Sequence, residues 1–421
     1  MKKDKIYAFL VVLLITLPTM AQKKVSLDES VKSALAHNVA IKNAELNYEG
    51  AKATKDEAFT KYFPTITALG GGLKANKGLF EMGLSGMQLS MMKEGLYAGV
   101  TAVQPIFVGG RIINGNKLAE VGIAVKSIQR EQSANEVRLT VSQLYWQRVS
   151  LREKMKTVEA MDSLLQSVYQ DVALAVKAGL RINNDLLQVR LRRNEVAAQR
   201  LKLKNAMAVT KDLFEQFTGL GNCILADEIP DEMPKPDFLR VDHQAALPTT
   251  VAYRLLDKQV EAAKIQKRIE LGKYLPSLSV GASFMDESLV TDNRTLGLVF
   301  ATVSVPISDW WGGSKALKRK RIAMQIAQNN RQDLGEKLVI KMSNDWHSLT
   351  DSYEQVKLSN ESIQLSEDNY RMHRDYYKAG TSTMSDLLEA QSLLLKSKDQ
   401  YTEDCTNYLV NKVIYLEATG R

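Results

Sequence analysis

Two hydrophobic periods alternate along this chain, and the alternation occurs twice. Leu96 to Ile106 has a period of two, with Tyr97, Gly99, Thr101 and Val103 on one face and Leu96, Ala98, Val100 and Ala102 on the other. Thr65 to Asn76, Leu278 to Asp286 and Leu296 to Val305 also predict strands, being rich in small and β-branched residues. Their length approaches the ~9–11 residues that carry a tilted strand across a bilayer. After each strand pair the period lengthens. From Arg111 to Ala178 no proline interrupts a helical pattern whose seam runs Val137, Val141, Leu144, Leu151, Met155, Val158 and on to Val176, lapsing at Arg148 and Asp162. Steps of four and three average 3.5 residues and predict left-handed coiled-coil packing, over about 100 Å at ~1.5 Å per residue. A second such helix after Gly312-Gly313 carries Val339, Met342, Trp346, Leu349, Tyr353 and on to Tyr377.

Each long helix runs into the same short turn. Lys177-Ala178-Gly179 is followed by Asp185-Leu186-Leu187, and Lys378-Ala379-Gly380 by Asp386-Leu387-Leu388, at one offset (380 − 179 = 201). Gly past a helix end supplies a left-handed cap, and Asp before the next apolar run reads as an N-cap. Each turn therefore predicts a tight hairpin of two antiparallel helices. The rest follows the same duplicated plan. Ser26 and Glu29 form a capping box that opens a helix ending at Tyr62-Phe63-Pro64. Residues 79–93, rich in Met and Gly, read as a loop. The helix from Asp185 to Phe217 stops at Thr218-Gly219, and Pro230, Pro234, Pro236 and Pro248 mark a connector. A helix from Thr249 to Tyr274-Leu275-Pro276 begins the second half, and the last helix ends at Thr419-Gly420.

The expected organisation is a signal peptide over 1–21, a first repeat over 22–219, an equatorial connector over 220–248 and a second repeat over 249–421. The first repeat has strands near 65–76 and 96–106 and a tip turn at 179–185. The second has strands near 278–286 and 296–305 and a tip turn at 380–386. Lys2, Lys3 and Lys5, the apolar run Ile6 to Leu17 and Thr19-Met20-Ala21 have the layout of a secretory signal, with no Cys after it for a lipid anchor. Past residue 21 no run approaches ~18 apolar residues, so any span must be built from strands. Four strands cannot close a barrel, whose smallest forms have about eight, so chains that span would have to share one.

Composition narrows the function. The net charge of +8 becomes +6 once Lys2, Lys3, Asp4 and Lys5 are removed (8 − 2 = 6). No basic cluster is interleaved with aromatics, so a nucleic-acid partner is not expected. Lys318-Arg319-Lys320-Arg321 reads as a solvated helix face. Cys223 and Cys405 make no metal spacing, and His37, His243, His347 and His373 form no ligand pair. Gly70-Gly71-Gly72 lacks the helix and Lys-Ser/Thr of a phosphate loop. No nucleophile and base are paired, so neither an enzyme nor a cofactor is expected. The thioethers of 82–92 would suit Cu(I), and an extracellular barrel loop is the other reading.

Ser26-Leu27-Asp28-Glu29-Ser30-Val31, the prolines Pro64 and Pro276 before strands, Gln104-Pro105-Ile106-Phe107 with Gly109-Gly110-Arg111, and the doubled turns occur in order. Together they resemble the TolC-like outer-membrane efflux channel family over nearly the whole mature chain. The resemblance implies a mainly α fold with a small β part: duplicated long antiparallel helical hairpins forming a coiled-coil tunnel. Four strands per chain would enter a shared 12-stranded barrel in a homotrimer. It implies a Gram-negative outer-membrane location reaching into the periplasm, outer-membrane lipid as surroundings, and a periplasmic adaptor with an inner-membrane pump of RND, ABC or MFS type as partners. The implied function is passive efflux of small molecules. A type I protein secretion channel is the alternative, and a soluble periplasmic scaffold or adaptor is a rival that has no use for the strands. The chain departs from the family in having Val39 rather than proline after Asn38, and Ser382 where some relatives place a tip-locking arginine.

By the same resemblance Asp386 and Glu389 match acidic rings that narrow the tunnel mouth, and Tyr377 with Asp185 matches a closing contact. Gly179, Gly380, Lys177 and Lys378 lie where the adaptor would dock. Read from the residues alone, Asp185 and Asp386 are N-caps, Tyr377 is seam packing and the glycines are helix caps. Like carboxylates gathered by a threefold axis are expected to titrate upward.

Overall fold

The computed structural model describes residues 24–77, 80–84, 87–91, 94–230, 232–288 and 294–421. The expected signal peptide lies outside the described residues. The chain divides into two compact units, each drawing on both sequence repeats.

The first unit comprises Met1–Lys42, Ser133–Ala246 and Ile340–Arg421. It opens on a two-residue strand β1 (Lys24–Val25), followed by helix α1 (Leu27–His37). Ser26 caps α1 through its Oγ, which accepts from the Glu29 amide at 3.3 Å, while the Glu29 carboxylate accepts from the Ser26 amide at 3.1 Å. The helix expected to run on to Pro64 instead breaks at Asn38 and restarts as α2 (Val39–Thr60). Asn38 is extended, with ψ of 136°. Its Oδ1 accepts from the Ala40 amide at 2.8 Å and its Nδ2 donates to the Phe217 carbonyl at 3.3 Å. The side chain stands in for the backbone bonds lost at the break, so no proline is required there.

The long helices are α3 (Arg111–Lys177), α4 (Asn183–Thr218), α6 (Asp309–Ala379) and α7 (Met384–Ala418). Val137, Val141, Val158, Leu165 and Val172 of α3 are buried along the expected seam. Where that seam lapses at Arg148, Tyr145 and Val149 take its place, both fully buried. Arg148 lays its guanidinium over the Phe214 ring at 4.7 Å. The connector contributes strand β6 (Ile224–Leu225), parallel to β1. It is fastened by polar groups: Tyr145 donates to Asp227 Oδ2 at 2.7 Å, which also accepts from the Leu27 amide at 3.0 Å. Arg152 donates to the carbonyls of Leu225 and Asp227 at 3.1 and 2.7 Å. Gly219 ends α4 in the left-handed region, φ +73°, with the His37 ring 2.6 Å from where a Cβ would sit.

The second unit comprises Asn43–Gln132 and Leu247–Val339. It contains α5 (Val251–Gly272), capped by Thr250, and an antiparallel sheet in the order β2 (Thr65–Lys74), β5 (Glu94–Val108), β7 (Ser277–Glu287), β8 (Arg294–Ser304). Thr65 pairs with Val103, Val103 with Gly281, and Ser277 with Ser304. The segment expected as a loop at 79–93 holds a hairpin, β3 (Phe80–Leu84) with β4 (Met87–Met91). Its sequence carries the period of two: Phe80, Met82 and Leu84 are register partners of Met91, Leu89 and Met87.

The two faces of the four-stranded sheet differ. Ile66, Val100, Phe284 and Val299 share one face and are exposed, Val299 to 86%. On the other, Tyr97 folds over Gly71 and Phe300 over Gly281, Thr101 meets Ser283 at 2.8 Å between hydroxyls, and Leu69, Leu296 and Leu298 are exposed beside them. The outer edges of β2 and β8 have no strand partner among the described residues. Ion pairs join the helices of this unit: Glu45 of α2 to Arg130 of α3 at 2.9 Å, Glu131 of α3 to Arg254 of α5, and Asp257 of α5 to Arg331 of α6 at 2.5 Å. Among the described residues no helix is long and apolar enough to cross a membrane.

Gly109 and Gly110, between β5 and α3, offer a paired test. Both have positive φ, +66° and +73°. A Cβ on Gly109 would lie 2.0 Å from the Gly272 carbonyl oxygen, whereas one on Gly110 would come no nearer than 3.5 Å to any neighbour. Gly109→Ala is expected to abolish folding, read as loss of the cooperative thermal transition by circular dichroism. Gly110→Ala should retain it at a cost of about 1–2 kcal/mol from the left-handed backbone alone.

Candidate functional site

The two tip turns are built alike and then diverge. In the first, Gly179 has φ +75°, its amide donates to Val176 at 3.0 Å and the Leu180 amide to Ala175 at 2.8 Å. In the second, Gly380 has φ +80°, its amide donates to Tyr377 at 3.1 Å and the Thr381 amide to Tyr376 at 2.9 Å. Both are Schellman endings, closing the carbonyls that a helix leaves open. A Cβ on either glycine would meet nothing within 4 Å. Glycine is there for its backbone, with open space around it.

The aspartates expected as N-caps sit three residues into their helices instead. In the second turn Thr383 is the cap, and Asp386 completes a capping box. Asp386 Oδ2 accepts from the Thr383 hydroxyl at 2.7 Å, the Thr383 amide at 3.0 Å and the Ser382 hydroxyl at 3.1 Å. These bonds, those from Thr383 foremost, hold its carboxyl below the usual range. Within one chain this runs opposite to the upward titration expected of an acidic ring. Glu389, one turn on, is exposed.

The first turn has Ile182 at the cap position, with no side-chain hydrogen bond to give. Asp185 is therefore not drawn back into a box, and its Oδ2 accepts from the Tyr377 hydroxyl at 3.2 Å. Tyr377 is held from a second side by Arg181, which stacks at 4.3 Å over the ring and donates to the Tyr377 carbonyl at 2.6 Å. Burial first, then the charge of Asp185, pushes the phenol up to about 12. Below this clasp Val172, Val189, Met384 and Leu387 close a buried cluster. Tyr377 thus combines seam packing and a contact to the other hairpin. Arg181 escaped the sequence reading, although the repeat offset sets it level with Ser382. Lys177 and Lys378 are exposed, as are Leu180 at 78% and Ile182 at 66%. Among the described residues no group of acidic, Cys or His side chains is arranged to hold a metal.

The family profile described as outer membrane efflux protein matches residues 30–219 and 256–420. The chain belongs to that family. Solved structures agree in fold at low identity. VceC from Vibrio cholerae superposes with a TM-score of 0.79 at 14% identity, over 94% of this chain and 96% of that one. The CmeC outer membrane channel of Campylobacter jejuni gives 0.81 at 17% identity, over 94% and 85%. The open state of the Neisseria gonorrhoeae MtrE outer membrane channel gives 0.75 at 15% identity, over 94% and 88%. A search of curated proteins finds no match. Family membership makes this an efflux protein of the outer membrane, and its relatives are channels rather than enzymes.

The clasp should loosen in alkali. The folded-state pKa of Tyr377 lies above the ordinary value of 10.0, at about 12. Its contribution is thus complete below pH 10 and lost as the pH climbs toward 12. Protection factors at Leu180 and Thr381, with the base-catalysed intrinsic rate divided out, should fall over that window and stay level between pH 7 and 9. Tyr377→Phe should remove this pH dependence of protection and lower the protection factors at neutral pH by about fivefold, the equivalent of about 1 kcal/mol for one hydrogen bond.

Proposed function

We propose that this efflux protein is the exit duct of a tripartite export system: a homotrimer whose chains share a 12-stranded barrel and a helical tunnel. It would carry small molecules outward from a periplasmic adaptor and an inner-membrane pump. The observation that carries the reading is the four-stranded sheet, which among the described residues has two unpaired edges and an uncovered apolar face. In lipid an open edge leaves backbone N–H and C=O groups unsatisfied, each at a cost of several kcal/mol. Three sheets joined edge to edge remove every edge, and lipid covers the apolar face.

In this reading the turns form the periplasmic tip. Gly179, Gly380, Lys177 and Lys378 meet the adaptor, and exposed Leu180 and Ile182 supply apolar contact. Tyr377 and Asp185 hold the tip closed. Asp386 and Glu389 line the constriction, where three copies of each would favour cations. The capping bonds of Asp386 support the idea, because they keep its carboxyl ionised.

Chemical cross-linking of the detergent-solubilised protein should trap three chains; a membrane-inserted monomer would refute the shared barrel. Gly179→Trp or Gly380→Trp should abolish export in cells and leave trimers intact. Unchanged export from both variants removes the docking role. In planar bilayers Asp386→Ala with Glu389→Ala should lower cation preference and end block by trivalent cations from the periplasmic side. Wild-type selectivity in that double variant reduces both residues to helix caps and surface charge.

A further inference from the structure

Three helix ends lie level beside the four-stranded sheet. A Cβ on Gly109, just ahead of α3, would lie 2.0 Å from the carbonyl oxygen of Gly272, the last residue of α5. Trp310, in the first turn of α6, donates its indole N–H to the Tyr274 carbonyl at 2.9 Å, two residues past that end. The positive charge of the chain gathers here. Residues 111–121, 261–273 and 309–321 hold eleven Lys and Arg against four Asp and Glu, a net +7, where the whole chain carries +8. The matching stretch of α2, residues 49–61, is balanced, with three of each sign. The run Lys318-Arg319-Lys320-Arg321, taken alone a solvated face, is thus one part of a basic collar.

Like charges stand one turn apart in this collar, Lys264 with Arg268 and Lys315 with Arg319. Such pairs weaken a helix, whereas opposite charges at that spacing support it. Farther from the sheet the same helices carry matched pairs. Lys258 meets Glu261 at 2.8 Å, Lys337 meets Asp333 at 2.8 Å, and Arg254 of α5 meets Glu131 of α3. In the collar Lys117, Lys264, Arg268, Lys318, Arg319 and Arg321 form no ion pair among the described residues. The collar is left in want of an anion that the chain does not supply.

Part of the collar is a formed recess. A cleft of about 430 Å³ lies between α3 and α5. Val121 and Ile265, both buried, give it an apolar lining. Lys117, Lys264 and Arg268 line it and are exposed. At ~1.5 Å per residue these three stand about 6–12 Å along their helices from the ends beside the sheet. Two acids also line the cleft, at about 14–17 Å by the same measure. Both are engaged, Glu120 with Lys55 at 2.6 Å and Glu261 with Lys258 at 2.8 Å. The end nearer the sheet therefore presents three cations with no acid among them.

We propose that this cleft seats the headgroup phosphate of an acidic phospholipid between Lys117, Lys264 and Arg268, and that the rest of the collar draws such lipids to the helix ends. The proposal rests on the shared-barrel reading, which stands the sheet in hydrocarbon and these helix ends in the headgroup layer next to it. That layer is about 5–8 Å deep, and the long stems of Lys and Arg reach back into it from one or two turns farther on. Arg268 offers a fork of N–H donors that fits phosphate oxygens, and the two lysines add compact charge. Because lysines hold both acids of the cleft, no free carboxylate greets the cation of a zwitterionic headgroup. Net charge then selects the acidic lipid, as basic segments beside a membrane do.

The test is lipid-selective fluorescence quenching in the reconstituted full chain. Trp310 and Trp311, at the start of α6, are 50% and 81% exposed, while Trp146 and Trp346 are buried. Vesicles of equal parts phosphatidylcholine and phosphatidylglycerol carry brominated chains on one lipid or the other. Brominated phosphatidylglycerol should quench about twofold more than brominated phosphatidylcholine. Combining Lys117→Gln, Lys264→Gln and Arg268→Gln should bring that ratio to one. Lys258→Gln with Glu261→Gln removes a matched pair from the same cleft and should leave the ratio as in the wild type. Glycerol phosphate in solution should not lower the ratio; if it does, the site takes free phosphate and the lipid assignment falls. Equal quenching by both lipids in the wild type, no quenching by either, or an unchanged ratio in the triple variant overturns the cleft. None of these touches the barrel reading, whose own failure shows separately as a monomer on cross-linking.

Discussion

Every backbone polar group must find a partner, and in this chain one sheet does not satisfy that demand alone. Among the described residues β5 and β7 are paired on both sides, β2 and β8 on one. In water an open edge is a risk of aggregation that charge or a bulge can blunt. In hydrocarbon it is forbidden outright. On the proposed shared-barrel reading, the sheet stands in hydrocarbon. The uncovered apolar side of the sheet, and the lack among the described residues of a helix long and apolar enough to cross a membrane, accord with that setting.

Duplication builds the rest of this unit. One strand–helix unit, used twice, gives two equivalent seams inside the chain: the strand pair Thr65–Val103 recurs as Ser277–Ser304, and the ion pair Glu45–Arg130 as Asp257–Arg331. The two copies diverge at the tips, where Ile182 and Thr383 stand at the cap positions.

Much of this was legible in the residues. The period of two in Leu96–Ile106, the glycine-ended helices and the repeat offset gave the strand pairs, the long hairpins and the turns. The helix break at Asn38 was not visible, because an asparagine side chain can replace backbone bonds without the signature of proline. The β3–β4 hairpin was hidden by methionine and glycine, whose strand preference is weak although their alternation was present. At the tips, Asp185 and Asp386 looked equivalent in sequence. What separated them was one neighbour each, Ile182 and Thr383, which decides whether the carboxylate is bound locally or left for Tyr377. Arg181 was missed because an arginine in a turn has no periodic signal.

That difference gives the two hairpins unequal mechanical duties. Asp386 is tied into the start of its own helix, so pulling it away would fray α7. Asp185 sits in the first turn of α4 but closes no capping box there, so its bond to Tyr377 can break without opening a cap. The two tips thus carry unequal loads: the second carboxylate belongs to the start of its own helix, whereas the first is the bond between the hairpins, and its loss leaves both helix starts as they are.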